Sequence, residues 1–110
     1  MRHPDALADA VAHEGNGPVW ATGSEELNAT LLDWRAGEGP PEHINVERDV
    51  LVVVLAGSVT VRTDDGEREL AAGQATIIAK GRRRTLSAGP EEVRYLSVHR
   101  RRPPFTDPGA

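Results

Sequence analysis

The chain has 110 residues, no cysteine and a formal net charge of −4 at neutral pH. This length accommodates one compact domain, and the lack of cysteine excludes disulfide frameworks, thiolate metal sites and cysteine nucleophiles. The longest apolar run, residues 50–56, is far shorter than the roughly 20 residues that a membrane-spanning helix requires, and the N-terminus lacks the pattern of a signal peptide. We therefore expect a soluble, cytoplasmic protein with no membrane partner.

The charges are unevenly distributed along the chain. Residues 1–49 contain ten acidic and three basic residues, whereas residues 50–110 contain ten basic and seven acidic residues. Two arginine triplets, at 82–84 and 100–102, could contact phosphates. Neither triplet stands beside an aromatic stacking platform or within a nucleic-acid-binding motif. The sequence therefore predicts no nucleic-acid partner.

Secondary-structure signals change once along the chain. Residues 4–14 have helical periodicity and predict one short helix that ends at Gly15. From Pro18 onward, short alternating runs are separated by turn residues, which is typical of strands. The predicted strands are 18–22, 27–34, 50–57, 58–63, 67–70, 74–80, 83–87 and 93–100. This spacing favours a closed antiparallel barrel or a sandwich over residues 18–102, with a helical extension at 1–17 and a flexible tail at 103–110.

Three local features of the strand pattern make specific predictions. Residues 36–42 contain two glycines and two prolines, which predicts a loop that leads into His43. Residues 50–57 are apolar almost throughout, which predicts a strand covered on both faces. The turn that ends at Gly66 predicts a hairpin with a positive φ angle at that glycine.

The last predicted strand, residues 93–100, combines apolar and polar side chains. Leu96 and Val98 are its natural inward residues, because neighbouring side chains of a strand point to opposite faces. His99 would then share the outer face with Tyr95 and Ser97, which argues against a place for His99 inside the barrel.

The spacing of glycines and a few polar residues resembles the two motifs of the cupin superfamily, whose members are small jelly-roll barrels. The matching residues of the first motif are Gly37, His43, Asn45, Val50 and Gly57, and those of the second are Gly73, Ala79, Gly81, Arg84 and Ala88. The resemblance implies an all-β, cupin-type jelly-roll barrel over about residues 27–102, to which the short N-terminal helix is added.

The resemblance implies much less about chemistry than about fold. In the family pattern a metal ion is held by two histidines and a glutamate of the first motif and by a histidine of the second. The residues at these four positions are His43, Asn45, Val50 and Arg84. Valine has no donor atom and arginine carries a fixed positive charge, so we expect no cofactor. If a divalent metal does bind, its candidate ligands are His43, Glu47, Asp49 and His99.

Arg84 requires an anionic partner, because a guanidinium group cannot be deprotonated in a protein. One candidate is an internal salt bridge to Glu47 or Asp49, which share strand parity with His43. The other candidate is a carboxylate or phosphate group on a bound small molecule. The sequence leaves both alternatives open.

We therefore predict a cupin-like protein that binds a small, anionic molecule through His43, Asn45, Asp49 and Arg84. One alternative is an enzyme of the lyase, isomerase or oxygenase type, in which His43 acts as a general acid or base or belongs to a non-standard metal site. Another alternative is a structural module that dimerises. Because residues 50–57 are apolar on both faces, we expect a homodimer.

Overall fold

The computed structural model describes residues 16–44, with residues 43 and 44 described by their backbone alone, and residues 48–101. These residues form nine strands and no helix, and so contain no helix that could cross a membrane. The predicted all-β fold is confirmed. The helix predicted at 4–14 and the tail at 103–110 lie outside the described residues.

The strands correspond closely to the predicted runs. They are β1 (Gly17–Gly23), β2 (Leu27–Trp34), β3 (His43–Ile44), β4 (Val50–Ala56), β5 (Ser58–Thr63), β6 (Gly66–Ala71), β7 (Ala75–Ile78), β8 (Arg83–Ala88) and β9 (Val93–Arg100). Each of the eight predicted strands is present. The additional strand, β3, has only two residues and is therefore too short to show alternation in the sequence.

The strands form two antiparallel sheets. One sheet has the order β1-β2-β9-β4-β7 and the other has the order β3-β8-β5-β6. The connection from β4 to β5 passes from one sheet to the other. Later in the chain, β8 lies between β3 and β5 in the four-stranded sheet, and β9 lies between β2 and β4 in the five-stranded sheet. Strands that alternate between two packed sheets in this manner are typical of a jelly roll.

The core lies between the inner faces of the two sheets and is built mainly from branched aliphatic side chains. Its buried members are Val50, Val52, Val54, Val59, Val61, Leu70, Ile78, Leu86, Ala88, Val93 and Tyr95, with Leu32 and Trp34 packed against them. Among the described residues, one tyrosine and one tryptophan contribute to the core, and aromatic residues make up just 4% of the sequence.

Glycine residues set the turns that connect the sheets. Gly66 has a φ angle of 133° and begins β6, as the hairpin prediction required. Gly57 ends β4 with a φ angle of 73°, and a Cβ atom at this position would lie 2.2 Å from the carbonyl oxygen of Glu92. Glycine alone satisfies both conditions, so this position sets the direction in which the chain leaves β4 for the second sheet.

The outer faces of the two sheets differ in polarity. On the four-stranded sheet, the outer positions Thr60 and Arg62 have polar cross-strand neighbours on β6 and β8. On the five-stranded sheet, the outer positions of β4 are Leu51 and Val53, which are half-buried, and their cross-strand neighbours include Ile77 on β7. Within one chain only the inner face of β4 is fully buried, so the predicted cover of its outer face would have to come from another molecule.

Candidate ligand-binding site

A cavity of about 300 Å³ lies between the inner faces of the two sheets. Its apolar wall consists of Leu32, Pro40, Pro41, Val50, Val52 and Leu86, and its polar groups belong to Glu42, Arg84, Tyr95 and Ser97. A concave, mainly apolar space with a few polar groups is the usual form of a small-molecule site, and this volume is at the lower end of the range for such sites.

The loop of residues 35–42 closes one side of the cavity. Ala88 donates its backbone N–H to the carbonyl oxygen of Glu38 at 2.7 Å, which ties the loop to the end of β8. A Cβ atom on Gly39 would lie 1.9 Å from the carbonyl oxygen of Leu86, so any larger residue would push the loop outward. The loop predicted at 36–42 is thus confirmed, and its two prolines form part of the cavity wall.

Arg84 is the one cationic residue among the described residues that line the cavity. On β8 its neighbour Arg83 is exposed and lies 3.6 Å from Glu42, whereas Arg84 is half-buried. No acidic side chain of residues 16–42 or 48–101 lies within ion-pair distance of Arg84. Burial lowers the pKa of Arg84, and the electrostatic interaction with the neighbouring Tyr95 offsets this effect only in part.

Tyr95 lines the cavity beside Arg84 and is almost fully buried, with 3% of its surface exposed. Burial raises the pKa of Tyr95 to about 12, because a charged phenolate is poorly solvated there. The hydroxyl is therefore protonated at neutral pH and can donate a hydrogen bond.

A second hydrogen-bond donor lies next to the Tyr95 hydroxyl. The buried indole Nε1 of Trp34 lies close to that hydroxyl and can donate a weak hydrogen bond to it. The Arg84, Tyr95 and Trp34 groups thus form a cluster that has more donors than acceptors.

Two of the residues predicted from the first motif, His43 and Val50, belong to strands that border the cavity. The backbone of His43 on β3 pairs with Arg84 on β8, while Asn45 and Glu47 lie outside the described residues. Val50 is buried and lines the cavity at the position where the family pattern has a glutamate.

Asp49 lies outside the cavity. Its carboxylate accepts a hydrogen bond from the backbone N–H of Lys80 at 2.9 Å, and its side chain lines a separate groove at the sheet edge. Asp49 is therefore neither the partner of Arg84 nor a member of the cavity wall, which removes one of the two carboxylates considered for an internal salt bridge.

The predicted alternation of β9 is wrong. Tyr95 and Val93 face the core, and Leu96 and Val98 lie on the outer face of the sheet. His99 shares the parity of Tyr95, but it lies at the end of β9 and lines the edge groove with Asp49. The error arose because the outer face of this sheet is also apolar, so the hydrophobic pattern does not distinguish the two faces.

A resident metal ion does not fit the described part of the cavity. Among residues 16–42 and 48–101, no three histidine, aspartate or glutamate side chains are grouped so that they could hold a metal ion. Two of the four positions that hold metal in the family pattern are Val50, which offers no donor atom, and Arg84, which repels a cation. The donor cluster is instead suited to an anion.

Sequence comparison and structure comparison give different results for this chain. No model of a known protein family matches it, and no curated protein matches it in sequence. Many solved structures match it in three dimensions. A protein from Thermus thermophilus is 23% identical with a TM-score of 0.74, and the match covers 90% of this chain and 97% of that one.

Two other similar structures have more descriptive names. A cupin protein from Bacteroides fragilis is 21% identical with a TM-score of 0.64, and the match covers 74% of this chain and 71% of that one. A sugar phosphate isomerase from a cupin superfamily, from Silicibacter pomeroyi, is 21% identical with a TM-score of 0.66, over 74% of this chain and 54% of that one. The chain thus spans about half the length of the isomerase. At these identities the similarity concerns the fold alone.

Proposed function

The chain has the cupin fold, and we propose that its cavity binds a small anionic molecule through Arg84. The observation that carries this proposal is a half-buried guanidinium that has no acidic partner among the described residues. Taking a charge out of water without a counter-charge costs free energy. An anionic ligand would supply the missing charge and recover this cost.

The neighbouring groups support an anion rather than a cation. Tyr95 and Ser97 place hydroxyl groups on the cavity wall, and a protonated hydroxyl donates to the oxygen atoms of an anion. The carboxylate of Glu42 is exposed and lies near Arg83, at the edge of the cavity. The similar isomerase from Silicibacter pomeroyi is named for an anionic substrate class, which is compatible with an anion in a cavity of this fold.

Thermal unfolding of three proteins in the presence of small carboxylates and phosphates tests this proposal. We expect a matching anion to stabilise the native chain by about 2.7 kcal/mol at a hundredfold excess over its Kd. Arg84→Met should lose this stabilisation. Arg82→Met is the matched control, because Arg82 is exposed, pairs with Asp65 at 3.0 Å and does not line the cavity. The proposal is wrong if no anion stabilises the chain, or if Arg84→Met responds as the native chain does.

We further propose that this binding requires no metal ion. Elemental analysis of the purified protein should find far less than one equivalent of nickel, iron, manganese or zinc per chain, because valine and arginine occupy two of the four ligand positions of the family pattern. Close to one equivalent of a metal that disappears in His43→Ala would contradict this expectation and would favour the enzyme alternative.

A second copy of the chain is the proposed cover for the outer face of the five-stranded sheet. Its apolar rows include Leu51 and Val53, and Ile77 is 66% exposed. Apolar side chains that remain accessible on an outer sheet face favour an interaction surface there, whereas the outer face of the other sheet is polar. We expect a homodimer in sedimentation or light scattering, and Ile77→Glu should shift it to monomer. Thr60→Glu, on the polar outer face, is the matched control and should leave the mass unchanged. A monomeric native chain would contradict the proposal.

A further inference from the structure

We infer that the ligand is a monocarboxylic acid with an apolar body, an inference that rests on the proposed anion-binding function of Arg84. The charges, the walls and the donor cluster of the cavity each restrict the ligand in a different way. Together they separate an apolar carboxylate from a phosphorylated or a highly hydroxylated compound.

The charge balance of the cavity favours a single negative charge. Arg84 is the one cation among the described lining residues, and the carboxylate of Glu42 lies at the same cavity. The other two arginines of the triplet do not line the cavity, since Arg82 pairs with Asp65 and Arg83 pairs with Glu42 at the cavity edge. A phosphate monoester carries nearly two negative charges at neutral pH, since its second pKa is about 6. Its second charge would be removed from water without a counter-charge.

The walls favour an apolar body. Six of the ten lining residues are aliphatic or proline, and the two of them on β4, Val50 and Val52, are almost fully buried. Hydroxyl groups of a sugar would face these side chains without hydrogen-bond partners, which costs free energy for each group. An aliphatic ring or branched chain gains free energy from the same contact.

The donor cluster favours a carboxylate in place of an alcohol or an amine. Arg84 can hold both carboxylate oxygens through its planar guanidinium. Tyr95 can donate its hydroxyl proton to one of them while its oxygen accepts a hydrogen bond from the buried Trp34 N–H. Hydrogen bonds that are linked in series, as these would be, strengthen one another. Binding of the acid therefore gives the Arg84 charge a partner that it lacks among the described residues.

Calorimetric titration with four probes tests this inference. Cyclohexanecarboxylate, cyclohexyl phosphate and cyclohexylmethanol share one ring and differ in charge, and glycolate keeps the carboxylate without the ring. The pH is set about two units above the second phosphate pKa, so that the phosphate ester is a dianion. We expect cyclohexanecarboxylate to bind at least roughly tenfold more tightly than each of the others.

Variants assign this preference to Arg84. Arg84→Met should bind cyclohexanecarboxylate no better than cyclohexylmethanol, and retained binding of the alcohol would show that the cavity is intact. Arg84→Lys keeps the charge without the planar fork, so it should keep the order of the probes with weaker binding of the acid. Arg82→Met should behave as the native chain does.

The outcomes separate the inference from the proposed function. If cyclohexyl phosphate or glycolate binds as tightly as cyclohexanecarboxylate and this binding depends on Arg84, the inference is wrong and the anion-binding function stands. If no probe binds, the inference is wrong. If in addition no carboxylate or phosphate stabilises the chain in the thermal test, or if Arg84→Met responds as the native chain does, the proposed function is wrong as well.

Discussion

Two arginine residues on consecutive strands, Arg84 on β8 and Arg94 on β9, have opposite electrostatic surroundings. Arg94, on the outer face of β9, donates two hydrogen bonds of 2.6 Å to the two carboxylate oxygens of Asp33 on β2. Asp33 is 0% exposed. Arg84, on the inner face of β8, has no such partner among the described residues, and the group beside it is the neutral Tyr95 hydroxyl.

The effect of these surroundings on the two guanidinium groups differs in sign. The hydrogen bond to Asp33 raises the pKa of Arg94, whereas burial lowers the pKa of Arg84. Removal of one member of a buried ion pair leaves the other charge uncompensated, whereas a buried charge without a partner is already held at a cost. The comparison thus distinguishes an arginine that holds two strands together from an arginine that is available to a ligand.

Removal of Arg94 is expected to have the largest effect on stability. Arg94→Met would leave the fully buried carboxylate of Asp33 without its partner and should lower the free energy of unfolding by about 3–5 kcal/mol. Denaturant unfolding measures this loss. Arg62→Met is the matched control, because Arg62 pairs with Glu67 at the surface and its removal should cost no more than about 1 kcal/mol. Equal losses in the two variants would remove the distinction between Arg94 and a surface arginine.

The titration of Tyr95 tests whether Arg84 has a counter-charge within the protein. Burial raises the pKa of Tyr95 from 10.0 to about 12. Between these two pH values the unfolded chain loses the proton and the folded chain keeps it, so the folded state is destabilised as the pH rises. The loss should be roughly 2–3 kcal/mol.

The chain contains a single tyrosine, so the ultraviolet absorbance of tyrosinate reports on Tyr95 alone. We expect little ionisation of the folded protein at pH 10.0, the ordinary pKa value. In Tyr95→Phe this pH-dependent loss of stability should be absent. Ionisation of Tyr95 below its ordinary pKa would make the phenolate the counter-charge of Arg84, and the contrast with Arg94 would no longer hold.

Replacement of Arg84 is expected to have the smallest effect on the stability of the ligand-free chain. Arg84→Met removes a charge that burial disfavours, so the free energy of unfolding should stay constant or rise by up to about 1 kcal/mol. The same denaturant series as for Arg94→Met measures it. A decrease of about 3 kcal/mol or more in the free energy of unfolding would instead indicate that Arg84 has an acidic partner. Glu47 is then the candidate, because it is the other carboxylate that the sequence analysis considered.

The strands could be predicted from the sequence because their ends are marked chemically. Gly57 and Gly66 have the positive φ angles that turns require, and the run of residues 36–42 cannot continue a strand. These signals are local, since they depend on the conformational range of individual residues. The faces of β9 could not be predicted, because Tyr95 and Ser97 point inward while Leu96 and Val98 point outward. An apolar outer face reverses the usual rule that apolar residues mark the inside.

The site was predictable in part for the same reason. The spacing of the glycines predicted Arg84 and His43 as site residues. The antiparallel register of β3 and β8 places their backbones opposite each other. Tyr95 and Trp34 were not predicted as site residues, since each looks like an ordinary core aromatic in a sequence. Their polar atoms acquire significance only through their burial and their proximity to each other.

The sequence by itself thus determined the all-β fold, the positions of the turns and the shortage of metal ligands. Strand alternation, glycine conformation and side-chain donor chemistry decide these features, and all three are properties of single residues and their near neighbours. Only the tertiary structure decided which arginine has a partner. The pairing of Arg94 with Asp33 and the exclusion of Asp49 from the cavity depend on residues 61 and 31 positions apart in the chain. Contacts over such separations are set by how the two sheets pair and pack, which no local pattern encodes.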